Sequence, residues 1–177
     1  MQMQSWARLL MLTLLAPISA SPFADGIAPK AAPGKQAGTM LEFRTSDGGN
    51  HRLRVKQDQT VPSVAKPSDI KLVGEIGQTA VILIDSYPSI PGGMSLCQAG
   101  QERFLRVISV AEKQPKETFR IKLESCRDNI ELTSPGIEWQ PDRSTLRIEW
   151  LQGPDKQQKP DRLSLRIGTD GKAVKTE

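Results

Sequence analysis

The sequence is poor in the residues that most often carry chemistry. It has one histidine, His51, one tyrosine, Tyr87, and two cysteines, and aromatic residues make up only 5% of its 177 positions. A zinc site needs several His or Cys ligands at suitable spacing, and this inventory does not supply them. A Ser-His-Asp or Cys-His site would have to use His51, which the local pattern places at the turn end of a hairpin as a surface strand residue. Gly93-Met94-Ser95-Leu96-Cys97 lacks the second glycine of a nucleophile elbow. No dense Asp-x-Asp-x-Asp-Gly run marks a calcium loop, and Asp47-Gly48-Gly49-Asn50 is explained by turn chemistry. Glycine-rich phosphate loops are absent too. The expectation is no metal and no cofactor.

A long hydrophobic run is also missing. Leu9 to Ala16 is apolar, follows Arg8, and gives way to Pro17 and the small residues Ile18-Ser19-Ala20. This is the order of a cleavable secretory leader, expected over residues 1–20. The run is too short for a bilayer span, which needs roughly 20 apolar residues. No later segment qualifies either, so no membrane insertion is expected. Cleavage takes away Arg8 and no acid, which changes the formal charge from +4 to +3. The sequence pI is about 9.2, but charges of both signs alternate along the chain. A nucleic-acid partner would want a concentrated basic stripe with stacking aromatics, and neither is visible along the sequence. The expected location is the periplasm, with secretion beyond the cell as the alternative.

The two cysteines, Cys97 and Cys126, are expected to pair in an oxidising compartment. Closing a loop of about 30 residues would stabilise the fold by about 3–4 kcal/mol in the chain-entropy picture.

Apolar residues make up 37% of the chain, enough for one core built mainly from aliphatic side chains. Residues 21–39 are rich in Pro, Ala, Gly and Lys without apolar period, and are expected to be disordered. A single β domain is expected over 40–177. Leu41, Phe43 and Thr45 alternate toward Asp47-Gly48-Gly49, and His51, Leu53 and Val55 alternate away from it. A three-residue loop would pair Thr45 with His51, Phe43 with Leu53 and Leu41 with Val55. Gln57 to Asp69, with two prolines, is an irregular connection, and Lys71 to Glu75 a short strand. Ala80 to Ile84 and Phe104 to Val110 are apolar on both parities, the pattern of central strands. Phe119, Ile121 and Leu123 alternate with Arg120, Lys122 and Glu124. Ile137 and Trp139 flank a turn at Pro141 to Ser144 with Leu146, Ile148 and Trp150, predicting Trp139 opposite Leu146. Leu163, Leu165 and Ile167 follow, and Asp170-Gly171 marks a last turn. No helical period is present. About eight strands with frequent turns predict an all-β fold, an antiparallel β-sandwich or small β-barrel.

The most distinctive segment links the two expected central strands, from Ser86 to Arg103. It holds Tyr87, Pro91, Gly92, Gly93, Met94 and Glu102, and Cys97 would tether it. A loop on a rigid scaffold is a common place for recognition. The plainer reading is a glycine-rich connection whose bridge compensates for a small core. Asp85 ends an apolar strand, and with Glu102 it could form an acid–base pair. The plainer alternative is a turn-starting Asp85 and a Glu102 paired to an arginine. The charged strand positions Arg120, Lys122, Glu124, Arg147, Glu149 and Arg166 could form a binding face, but such rows are more commonly a solvated sheet surface.

The leading expectation is an exported, non-enzymatic binding module of the bacterial cell envelope, of an inhibitor or protective type. It would recognise a protein partner through the loop Tyr87 to Glu102. Two alternatives stand beside it: a hydrolase-like enzyme acting on envelope polymers through Asp85 and Glu102, and a structural accessory protein with no discrete site. Nothing in the sequence sets an oligomeric state.

Overall fold

The computed structural model describes residues 38–62, 65–90, 100–155 and 161–176. The expected leader, most of the segment 21–39 and the residues Pro91, Gly92, Gly93, Met94 and Cys97 lie outside the described residues. The described chain is all-β, with ten strands where about eight were expected: β1 (Gly38–Arg44), β2 (Asn50–Lys56), β3 (Asp69–Ile76), β4 (Ala80–Pro88), β5 (Gln101–Ser109), β6 (Lys116–Ser125), β7 (Glu131–Gln140), β8 (Thr145–Gln152), β9 (Asp161–Ile167) and β10 (Ala173–Thr176). They form three antiparallel sheets. These are the hairpin β1-β2, a central sheet in the order β3-β4-β5-β6, and an outer sheet in the order β10-β9-β8-β7.

The barrel alternative is corrected. No sheet closes on itself, and β3, β6, β7 and β10 end their sheets as edges. The arrangement is sandwich-like with a third layer. Ile82, Ile84, Leu105, Val107 and Leu123 of the central sheet meet Leu146, Ile148, Trp150, Leu165 and Ile167 of the outer sheet in the main core. On the opposite face of the central sheet, Val81, Leu83 and Ile108 pack against Phe43 of the hairpin. This is why β4 is buried at every residue from Ala80 to Tyr87. Period-two residues on both parities find apolar cover, one set under each neighbouring layer.

The hairpin is fixed over the central sheet at opposite ends. At its turn, Glu75 of β3 accepts hydrogen bonds from the Ser46 backbone N–H, at 2.7 Å, and from the Ser46 hydroxyl. At its far end, Arg120 of β6 donates to the Lys56 carbonyl at 3.0 Å.

The expected hairpin register is off by two residues. Phe43 pairs with His51, Leu41 with Leu53 and Thr39 with Val55. The strands stop at Arg44 and Asn50, leaving a five-residue loop closed by Thr45 N–H to Gly49 O and Gly48 N–H to Thr45 O, both 3.0 Å. Gly48 takes a positive φ of 90°, and Asp47 accepts the Thr45 hydroxyl at 2.6 Å. A shift of two leaves every side chain on its expected face. In the outer sheet the expected pairs Trp139–Leu146 and Ile137–Ile148 are present. A single 3-10 turn, Pro141–Arg143, joins those strands.

Candidate functional site

The expected recognition loop is shorter than its sequence span. β4 runs through Tyr87 to Pro88, and β5 begins at Gln101, so Tyr87 and Glu102 are cross-strand partners inside the ladder. Both are buried: Tyr87 is 2% exposed, and Asp85 and Glu102 are 0% exposed. The reason lies in the third layer. Residues 57–62 and the hairpin cover the end of the central sheet, and Val61 packs on Tyr87 and Phe104. The polar run Asp85-Ser86-Tyr87, which reads as a turn, is roofed over instead.

Asp85, Tyr87, Glu102, Phe104 and Arg106 alternate onto this one covered face, and Lys122 joins them opposite Phe104. The charges divide into two groups. In the first, Arg106 donates from Nε to Asp85 Oδ1 at 2.8 Å and from Nη1 to Glu117 Oε2 at 2.6 Å. Burial works against the Arg106 charge, but the hydrogen bond and charge of Asp85, helped by Glu117, outweigh it and raise its pKa. In the second, Lys122 reaches Asp58 at 3.1 Å, the Thr60 hydroxyl at 3.2 Å and Asp128, and stands 3.8 Å from Glu102 Oε2. Burial again opposes the charge, and the bonds to Asp128 and Asp58 overcome it, so the Lys122 pKa rises. Asp58 is held below its usual value: burial would raise it, but the Thr60 N–H and hydroxyl and Lys122 prevail. Arg106 and Lys122 both lie over the Phe104 ring, at 5.5 and 5.6 Å from its centre.

The acid–base pair anticipated from Asp85 and Glu102 is therefore not assembled. One carboxylate goes to Arg106. The other accepts the Ser89 hydroxyl at 2.7 Å and faces Lys122. A general acid must come within hydrogen-bond reach of its substrate, and both carboxylates are fully buried here. Asp85 Oδ2, the Tyr87 hydroxyl and Glu102 Oε2 are buried without a hydrogen-bond partner. Their desolvation is a cost that the two ion clusters offset.

The base of the 91–99 segment is pinned from several sides. Ser89 N–H donates to Gly100 O at 2.9 Å, and Ile90 N–H donates to Thr60 O at 3.0 Å. Ser89 Oγ binds Glu102. Gly100 lies so close to Cys126 that an added Cβ would stand 2.6 Å from the Cys126 Cβ. Cys126 follows directly on β6 and is not a free thiol. Its expected partner, Cys97, is outside the described residues.

Other expected residues separate. His51 stacks on Phe43 at 5.3 Å and touches the Thr45 hydroxyl at 3.4 Å, near the start of β2 beside the hairpin loop. Of the charged strand positions, Lys122 turns inward, while Arg147 and Glu149 stay on the outer sheet's solvent side, paired with Glu138 and Arg162. Among the described residues no cluster of three or more His, Cys, Asp or Glu could hold a metal ion, and no helix is long and apolar enough to cross a membrane. Arg106 was not singled out from the sequence. The available signal is a lone cation, Arg106, inside the apolar run Phe104 to Val110, beside a lone acid, Asp85, at the end of the apolar run of β4. Comparison with known protein families, curated proteins and solved structures finds no match.

Tyr87 supplies a clean pH probe. Burial, followed by the negative charge of Asp85, pushes its pKa well above the usual 10. The folded state therefore holds this proton more tightly than the unfolded chain, so its contribution to stability is complete below pH 10 and is lost as pH climbs beyond it. As the chain has a single tyrosine, phenolate absorbance in an alkaline titration should rise only together with unfolding. Tyr87→Phe should lose stability less steeply above pH 10 than the parent, although the raised pKa values of Lys122 and Arg106 leave some decline. Free ionisation near pH 10 in the folded protein would contradict the burial argument.

Proposed function

We propose that the chain is an exported, non-enzymatic binding module that recognises a protein partner in the periplasm or outside the cell. The contact surface is the segment around Pro91, Gly92, Gly93 and Met94. Tyr87 and Glu102, both buried in the strands that carry it, act as supports and not as contacts. The observation that carries this reading is the pinned base. The segment leaves and re-enters the two central strands, and Ser89, Ile90, Gly100 and Glu102 are each tied down at its root. Presenting a loop from a rigid frame reduces the ordering cost of binding. A Cys97–Cys126 bridge would add a further tie. The enclosure of Asp85 and Glu102 supports a non-catalytic reading, because their interactions are those of structural ion pairs.

Site-specific photo-crosslinking in the native host tests this. A crosslinker at position 94 should capture one stoichiometric partner, and the same crosslinker at Leu151, exposed on the outer sheet, should not. Replacing residues 91–94 by a Gly-Ser sequence of equal length should abolish capture. The thermal midpoint should move by no more than about 2 °C, as for surface changes elsewhere. Tyr87→Phe should retain capture. Equal capture from position 151, or capture that survives the replacement, overturns the loop as contact surface.

A further inference from the structure

The chain's charge looks evenly mixed when read along the sequence, but folding sorts it. The outward positions of the hairpin are Met40, Glu42 and Arg44 on β1 and Asn50, Arg52, Arg54 and Lys56 on β2, all exposed. Four cations face one acid. Glu42 meets Arg52 at 3.1 Å, and among the described residues Arg44, Arg54 and Lys56 have no acidic partner. Arg52, Arg54 and Lys56 fall at every second residue of one strand, so they form a line about 14 Å long. Arg120 of β6 adds a further half-exposed cation near the end of that line, its guanidinium bound to the Lys56 carbonyl. Arg44 sits across the ribbon from Asn50.

The outer sheet provides the contrast. On its solvent face Arg147 meets Glu138 and Arg162 meets Glu149, so two of its three arginines are neutralised by strand neighbours, and the third, Arg166, stands beside Thr145 and Val174. On the hairpin one of four cations, Arg52, is compensated in this way, although the ribbon is held by Glu75 at one end and Arg120 at the other. Keeping like charges on adjacent alternate positions costs stability unless something of opposite charge covers them.

We propose that this outward face is a docking surface for a linear, phosphate-bearing polyanion lying along β2. The linear form follows from the cations falling in one row. Phosphate follows from arginine making up most of the row, since its planar fork matches paired phosphate oxygens better than a lysine point charge does. The face presents no aromatic ring on which a base could stack, so the polymer is read through its charge alone. This inference does not depend on the protein-binding proposal.

Titration of the full chain with long-chain inorganic polyphosphate tests it. Binding should weaken with added salt with a logarithmic slope of about −2 to −3.5, as for three or four neutralised charges. Arg52→Glu with Arg54→Glu should weaken it by at least about 30-fold, and the milder Arg52→Gln with Arg54→Gln by at least about 10-fold. Arg166→Glu with Lys175→Glu changes the net charge of the outer-sheet strands equally and should cost less than about 3-fold, circular dichroism confirming that each variant is folded. Equal losses from the two regions would overturn the proposal by reducing it to net charge. So would equal competition by tripolyphosphate at matched phosphate concentration, or binding to phosphatidylglycerol vesicles without binding to polyphosphate. Absence of polyphosphate binding at low salt would overturn it outright.

Discussion

Arg106→Met is expected to destabilise the fold by about 3–5 kcal/mol, the range seen when one member of a buried ion pair is removed and the other is left behind. Asp85 is 0% exposed and its bonded oxygen takes the Arg106 Nε at 2.8 Å. Without the guanidinium, its charge stays buried under the hairpin without its cation. Glu117 loses its partner as well, but it is a quarter exposed and can turn to solvent. Methionine preserves much of the arginine stem, so packing on Phe104 is largely kept and the loss reports the charge.

Asp85→Asn should cost less, about 1–3 kcal/mol, because the amide oxygen still accepts from Arg106 and Glu117 still balances its charge. Asp85→Leu combined with Arg106→Met should recover much of the single-variant loss, since an apolar pair does not carry the desolvation cost of two ions. The cycle built from Asp85→Leu, Arg106→Met and the double variant should give a coupling of about 1–3 kcal/mol by urea denaturation. An Arg106→Met variant within about 1 kcal/mol of the parent would mean that the Asp85 carboxylate is not held as a buried ion. A catalytic Asp85 would behave differently: its amide variant would keep stability and lose turnover, so the two measurements together separate a structural acid from a chemical one.

How much of this could be read in advance depends on which face is considered. The main core follows from period two alone. Ile137, Trp139, Leu146 and Ile148 were placed opposite one another by counting outward from the turn at Pro141–Ser144, and they pair that way. The hairpin shows where counting fails. Thr45 and Asp47 build a five-residue loop in place of three, moving the register by two, yet Leu41, Phe43 and Val55 remain inward because two is the strand period. The covered polar face was not legible. Asp85-Ser86-Tyr87 carries turn-forming polarity, and only the third layer, which depends on long-range packing of residues 57–62, makes it strand. The basic ribbon was legible but was missed. Arg52-Leu53-Arg54-Val55-Lys56 alternates charge with apolar residues, and a strand puts all three cations on one side. Net charge along the sequence averages this out, and only the period-two pattern carries it.

Trp150→Ala is expected to cost about 3–5 kcal/mol, the range for emptying a fully buried aromatic site, and to lower the thermal midpoint by roughly 10 °C or more. Trp150 is 1% exposed and heads the largest buried side chains. It stands on β8, an inner strand of the outer sheet, and crosses the core to the central sheet, where its indole N–H donates to the Leu123 carbonyl at 2.9 Å. Leu123 is the residue that the β5–β6 register skips between Glu124 and Lys122. The bulge and the indole therefore belong together, one residue outside the ladder and one donor from the facing sheet. Loss of the ring opens a cavity beside Leu146 and Ile148 and strands that carbonyl in an apolar interior. Trp150→Phe separates the two effects: it fills most of the volume but cannot donate, and should cost about 1–3 kcal/mol. Urea unfolding followed by far-ultraviolet circular dichroism gives both values. If the phenylalanine variant matched the parent, the hydrogen bond would contribute nothing net and the joint between the sheets would be packing alone. If the alanine variant lost less than about 1 kcal/mol, Trp150 would not be the brace that joins the outer sheet to the layer carrying the buried ion clusters.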